Sequence, residues 1–266
     1  MSVDLPLRLL RVPSPSDDKY SRGVVGFVTG SETYPGAALL GVTGAMRTGI
    51  GLIRYLGPKS VERLILETRP EVVCGSGRAD AWVLGSGVDP NDPVRVSELG
   101  AAFSFDGLKV LDALAIQVAE YSVLSPETAI LTPHAGELAR LLDRFGKHFD
   151  LDYEAVQAAA AITNQLVILK GNTTLIAEPS GSVIAIGPNP TALATAGTGD
   201  VLAGILGALL ATNVGDPNLD LVDVAVLGVS IHAEAADRAA RSGPVAALDV
   251  AEAVRVVVHD WQLVGE

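Results

Sequence analysis

Short apolar runs alternate with segments of helical period along most of the chain. The apolar runs end in glycine or polar turns, a pattern typical of buried parallel strands. They predict strands at residues 23–29, 52–55, 81–85, 108–111, 128–131 and 166–169. Helices are predicted at residues 36–48, 61–67 and 153–163, and then in succession at 201–211, 222–241 and 247–258.

This alternation predicts an α/β fold with a mainly parallel sheet that is covered by helices on both faces. Two further apolar runs, 174–177 and 183–186, are joined by a Pro-Ser-Gly turn and predict a hairpin at one edge of the sheet. Residues 1–22 are rich in Pro, Ser and charge and predict an N-terminal arm or surface cover. No linker, low-complexity tract or repeat divides the chain, so we expect a single domain over 1–266.

Composition narrows the class of protein. Hydrophobic residues make up 48% of the 266 residues and aromatic residues only 5%, so the core must consist mainly of Ala, Val, Leu and Ile. The single cysteine, Cys74, excludes an internal disulfide framework and a multi-cysteine zinc site. The first residues are charged every few positions, unlike a secretory signal, and no apolar run reaches the length of a membrane span. We therefore expect a soluble protein of the cytoplasm.

The formal net charge of −12, without any cluster of Lys or Arg, argues against nucleic acid as a partner. An anionic substrate would have to be held by local backbone amides and a few cations, because the overall field repels it.

Candidate chemical groups follow several predicted strands. Gly87 follows the third strand, Asp112 the fourth, His134 and Glu137 the fifth, and Lys170 the sixth. Because ligands of such sheets bind beyond the carboxyl ends of the strands, we expect these groups to converge on one site. A flexible ammonium such as that of Lys170 can reach a phosphate as a point charge.

The turn Gly197-Thr198-Gly199-Asp200 leads directly into an apolar helix. Its glycines permit a tight turn, and the amides of a first helical turn have no intrahelical partner and can hold an anion. Asp200 would then lie beside a bound phosphate and could take a proton from a substrate hydroxyl. The alternative is an ordinary helix start, where Asp and Thr are favoured for capping alone.

Each strand-end side chain also has an ordinary structural interpretation. Lys170 could be a surface lysine with a buried stem, and His134 could simply cap a helix. Glu137 could interact only with the helix dipole, and Asp112 could accept hydrogen bonds from local amides. His232 lies in an Ala-rich helical segment and is interpreted as structural.

Several enzyme classes are excluded by missing motifs. The sequence has neither a P-loop nor a Gly-x-Gly-x-x-Gly turn in its first βα unit. Gly85-Ser86-Gly87 lacks the spacing of a nucleophile elbow, and no His or carboxylate cluster has structural-metal spacing.

The motifs together resemble a known family. Gly197-Thr198-Gly199-Asp200 resembles the anion-hole and base motif of ribokinase-like enzymes. More specifically, residues 26–237 resemble ADP-dependent NAD(P)H-hydrate dehydratases, through the segments 34–40, 131–137, 167–174 and 193–204. Departures are Gly85-Ser86-Gly87-Val88-Asp89, where the family usually has Gly-Pro-Gly-Leu-Gly, and Ala196, where it often has glycine.

The resemblance implies a ribokinase-like three-layer α/β/α sandwich and an enzyme that repairs the hydrated coenzymes NADHX and NADPHX. The terminal phosphoryl group of ADP, or of ATP, would be transferred to the hydroxyl of the S epimer, and elimination of phosphate would restore NADH or NADPH. Mg²⁺ would screen the phosphates through protein ligands that the sequence does not identify.

The resemblance also implies roles for individual residues. Asp200 would be the catalytic base. The hydrated dinucleotide would be contacted by Ala37, Gly87, His134 and Asp200. The adenine nucleotide would be held by Lys170, Gly171, Asn172, Thr173, Thr174 and Gly199, and the anion hole would be formed by Gly197, Thr198 and Gly199.

Partners follow from the same resemblance. Relatives commonly form homotetramers, and many carry a fused N-terminal epimerase domain that is absent from this sequence. We therefore expect a homo-oligomer that is served by a separate NAD(P)H-hydrate epimerase. Two alternatives remain open: a kinase of the same fold acting on a hydroxymethylpyrimidine or thiazole precursor, and a nucleotide-binding protein without catalysis.

Overall fold

The computed structural model describes residues 4–150 and 152–265. The strands are β1 (Val24–Val28), β2 (Leu52–Tyr55), β3 (Val73–Cys74), β4 (Ala81–Leu84), β5 (Leu108–Leu111), β6 (Ala129–Leu131), β7 (Leu166–Leu169), β8 (Thr174–Ala177) and β9 (Val183–Ile186). The helices are α1 (Pro35–Thr48), α2 (Lys59–Thr68), α3 (Pro93–Ala102), α4 (Leu114–Val118), α5 (Ala135–Arg144), α6 (Tyr153–Thr163), α7 (Thr198–Asn213), α8 (Leu221–Ala240) and α9 (Ala247–Gly265).

The strands that the structure describes form one sheet in the order β3-β2-β1-β4-β5-β6-β7-β8-β9. The pairs from β3 to β7 are parallel, while β8 and β9 pair antiparallel at one edge, where the sequence predicts a hairpin. From β1 the chain runs outward to β2 and β3 and then returns to β4 on the other side of β1. The carboxyl ends of β1 and β4 therefore form a topological switch point, where α/β sheets open a crevice for ligands.

Helices cover both faces of the sheet. Alternate strand residues enter opposite cores: Phe27 belongs to the core that includes residues of α1, α7, α8 and α9, and Val28 to the core that includes residues of α3, α5 and α6. This three-layer arrangement confirms the predicted α/β/α sandwich. The division of the chain into domains stays a prediction.

Some elements differ from the predictions made from the sequence. The short helices α3 and α4 and the two-residue edge strand β3 were not predicted, because Pro, Gly and brief runs hide their periodicity. Helix α7 begins at Thr198, three residues earlier than predicted, because Gly197 adopts a left-handed conformation and accepts a hydrogen bond from the Val201 amide. Asp200 is thus the third residue of the helix.

The predicted N-terminal arm, of which residues 1–3 lie outside the described residues, contacts the domain mainly through residues 5–10. Leu9 is buried in the core, and its carbonyl accepts a hydrogen bond from the Asn213 amide group at the end of α7. Arg8 forms ion pairs with Asp216 and Asp223. Within the described part of the chain, no helix combines the length and the apolar character needed to cross a membrane.

Candidate functional site

A cavity of about 620 Å³ opens at the carboxyl ends of β5, β6 and β7 and is closed by α7 and α8. This volume lies within the usual range for small-molecule sites. Most of the predicted site residues meet here: Asp112, His134, Glu137, Lys170, Gly171, Asn172, Thr174, Gly197, Thr198, Gly199 and Asp200. Parallel strands place their carboxyl ends side by side, so groups distant in sequence become neighbours.

The start of α7 forms one wall of the cavity. Gly197 has φ of +93°, a conformation that glycine adopts without strain, and it offers no side-chain cap to the first amides of the helix. The Thr198 hydroxyl donates hydrogen bonds to the carbonyls of Leu193 and Thr195 and so stabilises the turn that precedes the helix. The Thr198 amide donates to the Thr195 carbonyl at 3.4 Å, whereas the Gly199 and Asp200 amides have no backbone acceptor among the described residues and are available to an anion in the cavity.

Asp200 lies in that first turn with an altered protonation equilibrium. Burial raises the pKa of its carboxyl to about 7, and the Asp112 and Glu137 carboxylates act in the same direction, whereas Lys170 opposes them. Near neutral pH, Asp200 is therefore poised between its charged and neutral forms. A carboxylate with such a pKa is suited to accept a proton from a hydroxyl.

Lys170 is not a surface lysine: its side chain is only 22% exposed, and its Nζ lies 2.8 Å from Asp112 Oδ1 and 4.0 Å from Glu137 Oε2. Burial alone would lower the pKa of Lys170, but these two carboxylates raise it, so the side chain stays an ammonium. Asp112 makes this ion pair together with hydrogen bonds from the Thr132 and Ser86 hydroxyls, not from local amides.

His134 and Glu137 both cap a helix and line the cavity. The Gly136 amide donates to His134 Nδ1, and the His134 amide donates to Glu137 Oε2, so the two residues cap the start of α5. Both side chains also line the cavity. Their capping role therefore fixes them in position beside Lys170.

The predicted nucleotide loop lies only partly in the cavity. Gly171, Asn172 and Thr174 line it, whereas Thr173 is exposed and is not among the described lining residues. Asn189, which the sequence did not single out, donates through its side-chain amide to the Gly171 carbonyl at 2.8 Å and to Thr174 Oγ1 at 2.9 Å. Asn189 follows the β8–β9 hairpin, and no motif in the sequence marks it.

Ala37 and Gly87 lie next to the cavity and not in its described lining. They meet at the switch point between β1 and β4, where a Cβ on Gly87 would lie 2.5 Å from Ala37 Cβ. Gly87 has φ of +65°, so both space and backbone conformation require glycine there. The adjacent Ser86 connects the switch point to the cavity, because its hydroxyl donates a hydrogen bond to Asp112 Oδ2 at 2.9 Å.

His232, interpreted from the sequence as structural, lines the cavity from α8. Its side chain is 6% exposed, and its Nε2 has no hydrogen-bond partner among the described residues. Burial lowers the pKa of His232 to about 4 against a hydrogen bond to the Thr198 backbone, so the imidazole is neutral near pH 7. In the sequence, the feature that could have indicated this position was a single histidine within an apolar helical segment.

The described residues offer no dedicated metal cage. In residues 4–150 and 152–265, no three His, Cys, Asp or Glu side chains are grouped so that they could hold a metal ion. Mg²⁺ commonly keeps several waters and binds through one or two carboxylates plus substrate phosphates. The site is thus compatible with Mg²⁺ that arrives on a nucleotide, and no protein ligand is assigned to it.

Comparisons with known proteins agree on one family. The sequence model of the NAD(P)H-hydrate dehydratase family matches residues 25–256. The chain is 39% identical over 219 residues to a bifunctional NAD(P)H-hydrate repair enzyme of Mycobacterium tuberculosis, covering 76% of this chain and 44% of that protein. The corresponding enzyme of Mycobacterium leprae is 38% identical over 250 residues, covering 88% and 49%. The chain spans about half the length of the curated relatives it matches.

Solved structures share the fold. An ADP/ATP-dependent NAD(P)H-hydrate dehydratase from Bacillus subtilis, co-crystallised with ATP and Mg²⁺, aligns with a TM-score of 0.78 at 24% identity, covering 98% of this chain and 99% of that one. A ribokinase-like superfamily protein from Enterococcus faecalis aligns with a TM-score of 0.82 at 21% identity, covering 97% and 96%. The fold is therefore ribokinase-like.

Proposed function

The chain belongs to the NAD(P)H-hydrate dehydratase family, and from that premise we propose that it dehydrates the S epimer of NADHX or NADPHX with an adenine nucleotide as phosphoryl donor. The observation that carries this proposal is Asp200, a carboxylate with a pKa of about 7 in the first turn of α7, beside amides that can hold an anion. A protein that only binds nucleotide has no need of such a carboxylate.

The reaction proceeds by activating a poor leaving group. Asp200 takes the proton of the hydrate hydroxyl while the hydroxyl oxygen forms a bond to the terminal phosphorus of ADP. The bond from this phosphorus to the oxygen that bridges the two phosphates breaks, and AMP is released. Phosphate then leaves from the carbon beside the ring nitrogen, whose lone pair assists, and the neighbouring carbon loses a proton. The amides of Gly197, Thr198 and Gly199 stabilise the charge on the transferring group.

The two substrates occupy adjoining subsites. Lys170, Gly171, Asn172, Thr174 and Gly199 hold the adenine nucleotide, and Thr173 contributes from the rim of the same loop. The hydrated dinucleotide extends from His134 and Asp200 toward Ala37 and Gly87 at the switch point. Asp200 belongs to both subsites, which places the hydroxyl against the phosphoryl group.

Mg²⁺ accompanies the nucleotide. Among the described cavity residues, the charged side chains are three carboxylates (Asp112, Glu137 and Asp200) and the single ammonium of Lys170. This excess of negative charge disfavours free phosphates, and a divalent cation on the phosphates removes much of the repulsion. The Mg²⁺ complex of the nucleotide is therefore the form that binds.

The direct test mixes the purified protein with (S)-NADHX, Mg²⁺ and either ADP or ATP. The expected result is recovery of the dihydronicotinamide absorbance in the near ultraviolet, dependent on nucleotide. The Asp200→Asn variant, assayed in parallel, should lose this recovery while still binding nucleotide. Protein that binds nucleotide but restores no absorbance would contradict the proposal and would favour a vitamin-precursor kinase.

Three further features of the proposal concern the surroundings of the enzyme. It forms a homo-oligomer, expected to be a tetramer, it acts in the cytoplasm, and an epimerase converts the R epimer into its substrate. Light scattering of the purified protein tests the first. Incomplete repair of a mixed-epimer sample, completed by adding an NAD(P)H-hydrate epimerase, tests the third.

A further inference from the structure

The Asp112 carboxylate accepts hydrogen bonds from side chains at the ends of three other strands. Its Oδ1 accepts hydrogen bonds from Lys170 Nζ and from Thr132 Oγ1, each 2.8 Å long, and its Oδ2 accepts one from Ser86 Oγ at 2.9 Å. The residue is only 4% exposed. Ser86, Asp112, Thr132 and Lys170 follow β4, β5, β6 and β7, which are consecutive in the sheet. One carboxylate thus ties together the carboxyl ends of four neighbouring strands.

The ammonium held by Asp112 lies directly at the anion hole. A Cβ on Gly199 would lie 3.2 Å from Lys170 Nζ, so the ammonium touches the first turn of α7. On its other side, Glu137 Oε2 is 4.0 Å away. A lysine side chain has a flexible four-carbon stem, and a buried ammonium without a partner is strongly destabilising. The ion pair with Asp112 both stabilises the charge and limits the positions that Nζ can take.

We propose that Asp112 is a positioning residue for phosphoryl transfer, which holds the Lys170 ammonium against the first turn of α7 where the terminal phosphates of the nucleotide bind. Asp112 itself is shielded by its three donors and acts through Lys170. Ser86 orients the same carboxylate from the neighbouring dinucleotide subsite. This inference rests on the proposed function and adds to it a role for Asp112, which the sequence marked as a candidate group at a strand end without a role of its own.

The same carboxylate also acts on Asp200. The charged groups that affect Asp200 are Asp112, Lys170 and Glu137, and after burial the Asp112 carboxylate is the largest cause of the raised pKa of Asp200. Removing the charge of Asp112 therefore lowers the pKa of Asp200 in two ways: one negative neighbour is lost, and the Lys170 ammonium is no longer neutralised. A residue with a purely structural role would leave this titration unchanged.

The experiment uses the full chain with Asp112→Asn, which retains the shape and loses the charge. Calorimetric titration with ADP and Mg²⁺ should show affinity weakened by about tenfold or more. In turnover assays, the acidic limb of kcat/KM against pH should move down by about one unit. Asp143→Asn, which removes an exposed carboxylate from α5, is the matched control and should change neither quantity.

A double-mutant cycle with Lys170→Met separates positioning from general damage. In the Lys170→Met background, Asp112→Asn should change nucleotide affinity less than about twofold, because Asp112 acts through the ammonium. Should Asp112→Asn alone fail to fold, the double variant, which lacks both charges, provides the comparison with Lys170→Met. An equal loss of affinity in both backgrounds, or an unshifted acidic limb, would overturn the inference. Nucleotide titration needs no turnover, so failure of the proposed dehydration would be recognised separately.

Discussion

Asp200 combines a half-buried position with a proposed function that requires it to be charged. Its pKa of about 7 lies well above the usual value for aspartate because burial and two neighbouring carboxylates disfavour the ion. A general base must be deprotonated before it can act. We therefore expect kcat/KM for the hydrate to rise with pH and to level off above about pH 7. Initial rates from about pH 5 to 9 measure this limb, and a flat profile across pH 7 would contradict the assignment.

The raised pKa also predicts how stability depends on pH. Because the folded-state pKa exceeds the unfolded value of 3.8, the neutral carboxyl favours folding, and stability is lost as pH rises through about 7. Asp200→Asn mimics the neutral form. At about pH 8 its free energy of unfolding should exceed that of the wild type by on the order of 1 kcal/mol, and the difference should vanish near pH 4. Urea denaturation at both pH values measures it; a less stable variant at about pH 8 would refute the electrostatic account.

In the proposed function, Lys170 contributes its charge chiefly to the nucleotide. Its Nζ lies at the start of α7 and beside the nucleotide loop, so Lys170→Ala removes a charge-assisted contact to phosphate. We expect nucleotide affinity to fall by about 10- to 100-fold and affinity for the hydrate to fall less. Separate titrations of the two ligands decide this, with the exposed Lys147→Ala as control. The reverse order of losses would move Lys170 to the dinucleotide subsite.

Helices α1 and α7 approach closely through glycines, and this contact sets the position of the first turn of α7. A Cβ on Gly204 would lie 2.0 Å from the Gly41 carbonyl oxygen, and one on Gly44 would lie 2.7 Å from that of Val201. Asp200 lies one turn before Gly204 on the same helix, so the helix contact locates the carboxylate relative to the sheet. Because the two helices are in contact through backbone atoms, no flexible side chain can move aside to make room for an added Cβ.

Gly204→Ala should therefore destabilise the protein by about 1–3 kcal/mol or more, since the helices must separate. Gly100→Ala in α3 is the matched control, because a Cβ there meets no atom within 4 Å. The control should be stabilised by about 0.4–1 kcal/mol through reduced entropy of the unfolded chain. Thermal denaturation of the two variants tests the contrast, and equal effects would show that helix propensity alone decides.

The elements predicted from the sequence are those with a strong, uninterrupted pattern. The strands from β4 to β7 were found because they are short continuous apolar runs, and helix α6 because its buried residues recur with a helical period. Helix α3 was missed because Pro93 and Gly100 lie within a weakly amphipathic segment, and β3 because two residues at a sheet edge show no period. Helix α7 begins earlier than predicted because a left-handed glycine can precede a helix without any polar capping side chain.

Net charge affects the whole molecule and predicts the kinetics of nucleotide binding. With a formal charge of −12, the protein repels an anionic nucleotide at long range. We expect the association rate of ADP to rise about two- to threefold as salt increases from about 20 to 150 mM, because the repulsion is screened. Stopped-flow measurement tests this, with uncharged adenosine as the ligand control. An association rate that falls with salt would indicate that the positive field at the cavity is stronger than the residues that line it suggest.

The sequence alone determined the fold class, the layers of helices and sheet, and the family, because apolar patterns and local motifs are properties of neighbouring residues. Only the tertiary structure decided which groups act together. Asp112 and Lys170 are 58 positions apart, and nothing local indicates that their side chains pair. It likewise placed His232 and Asn189 at the cavity, and Ala37 against Gly87 at the switch point between β1 and β4. The physical reason is that a parallel sheet aligns the ends of distant strands, and long-range contacts, charges and pKa values depend on distance in space, not on distance along the chain.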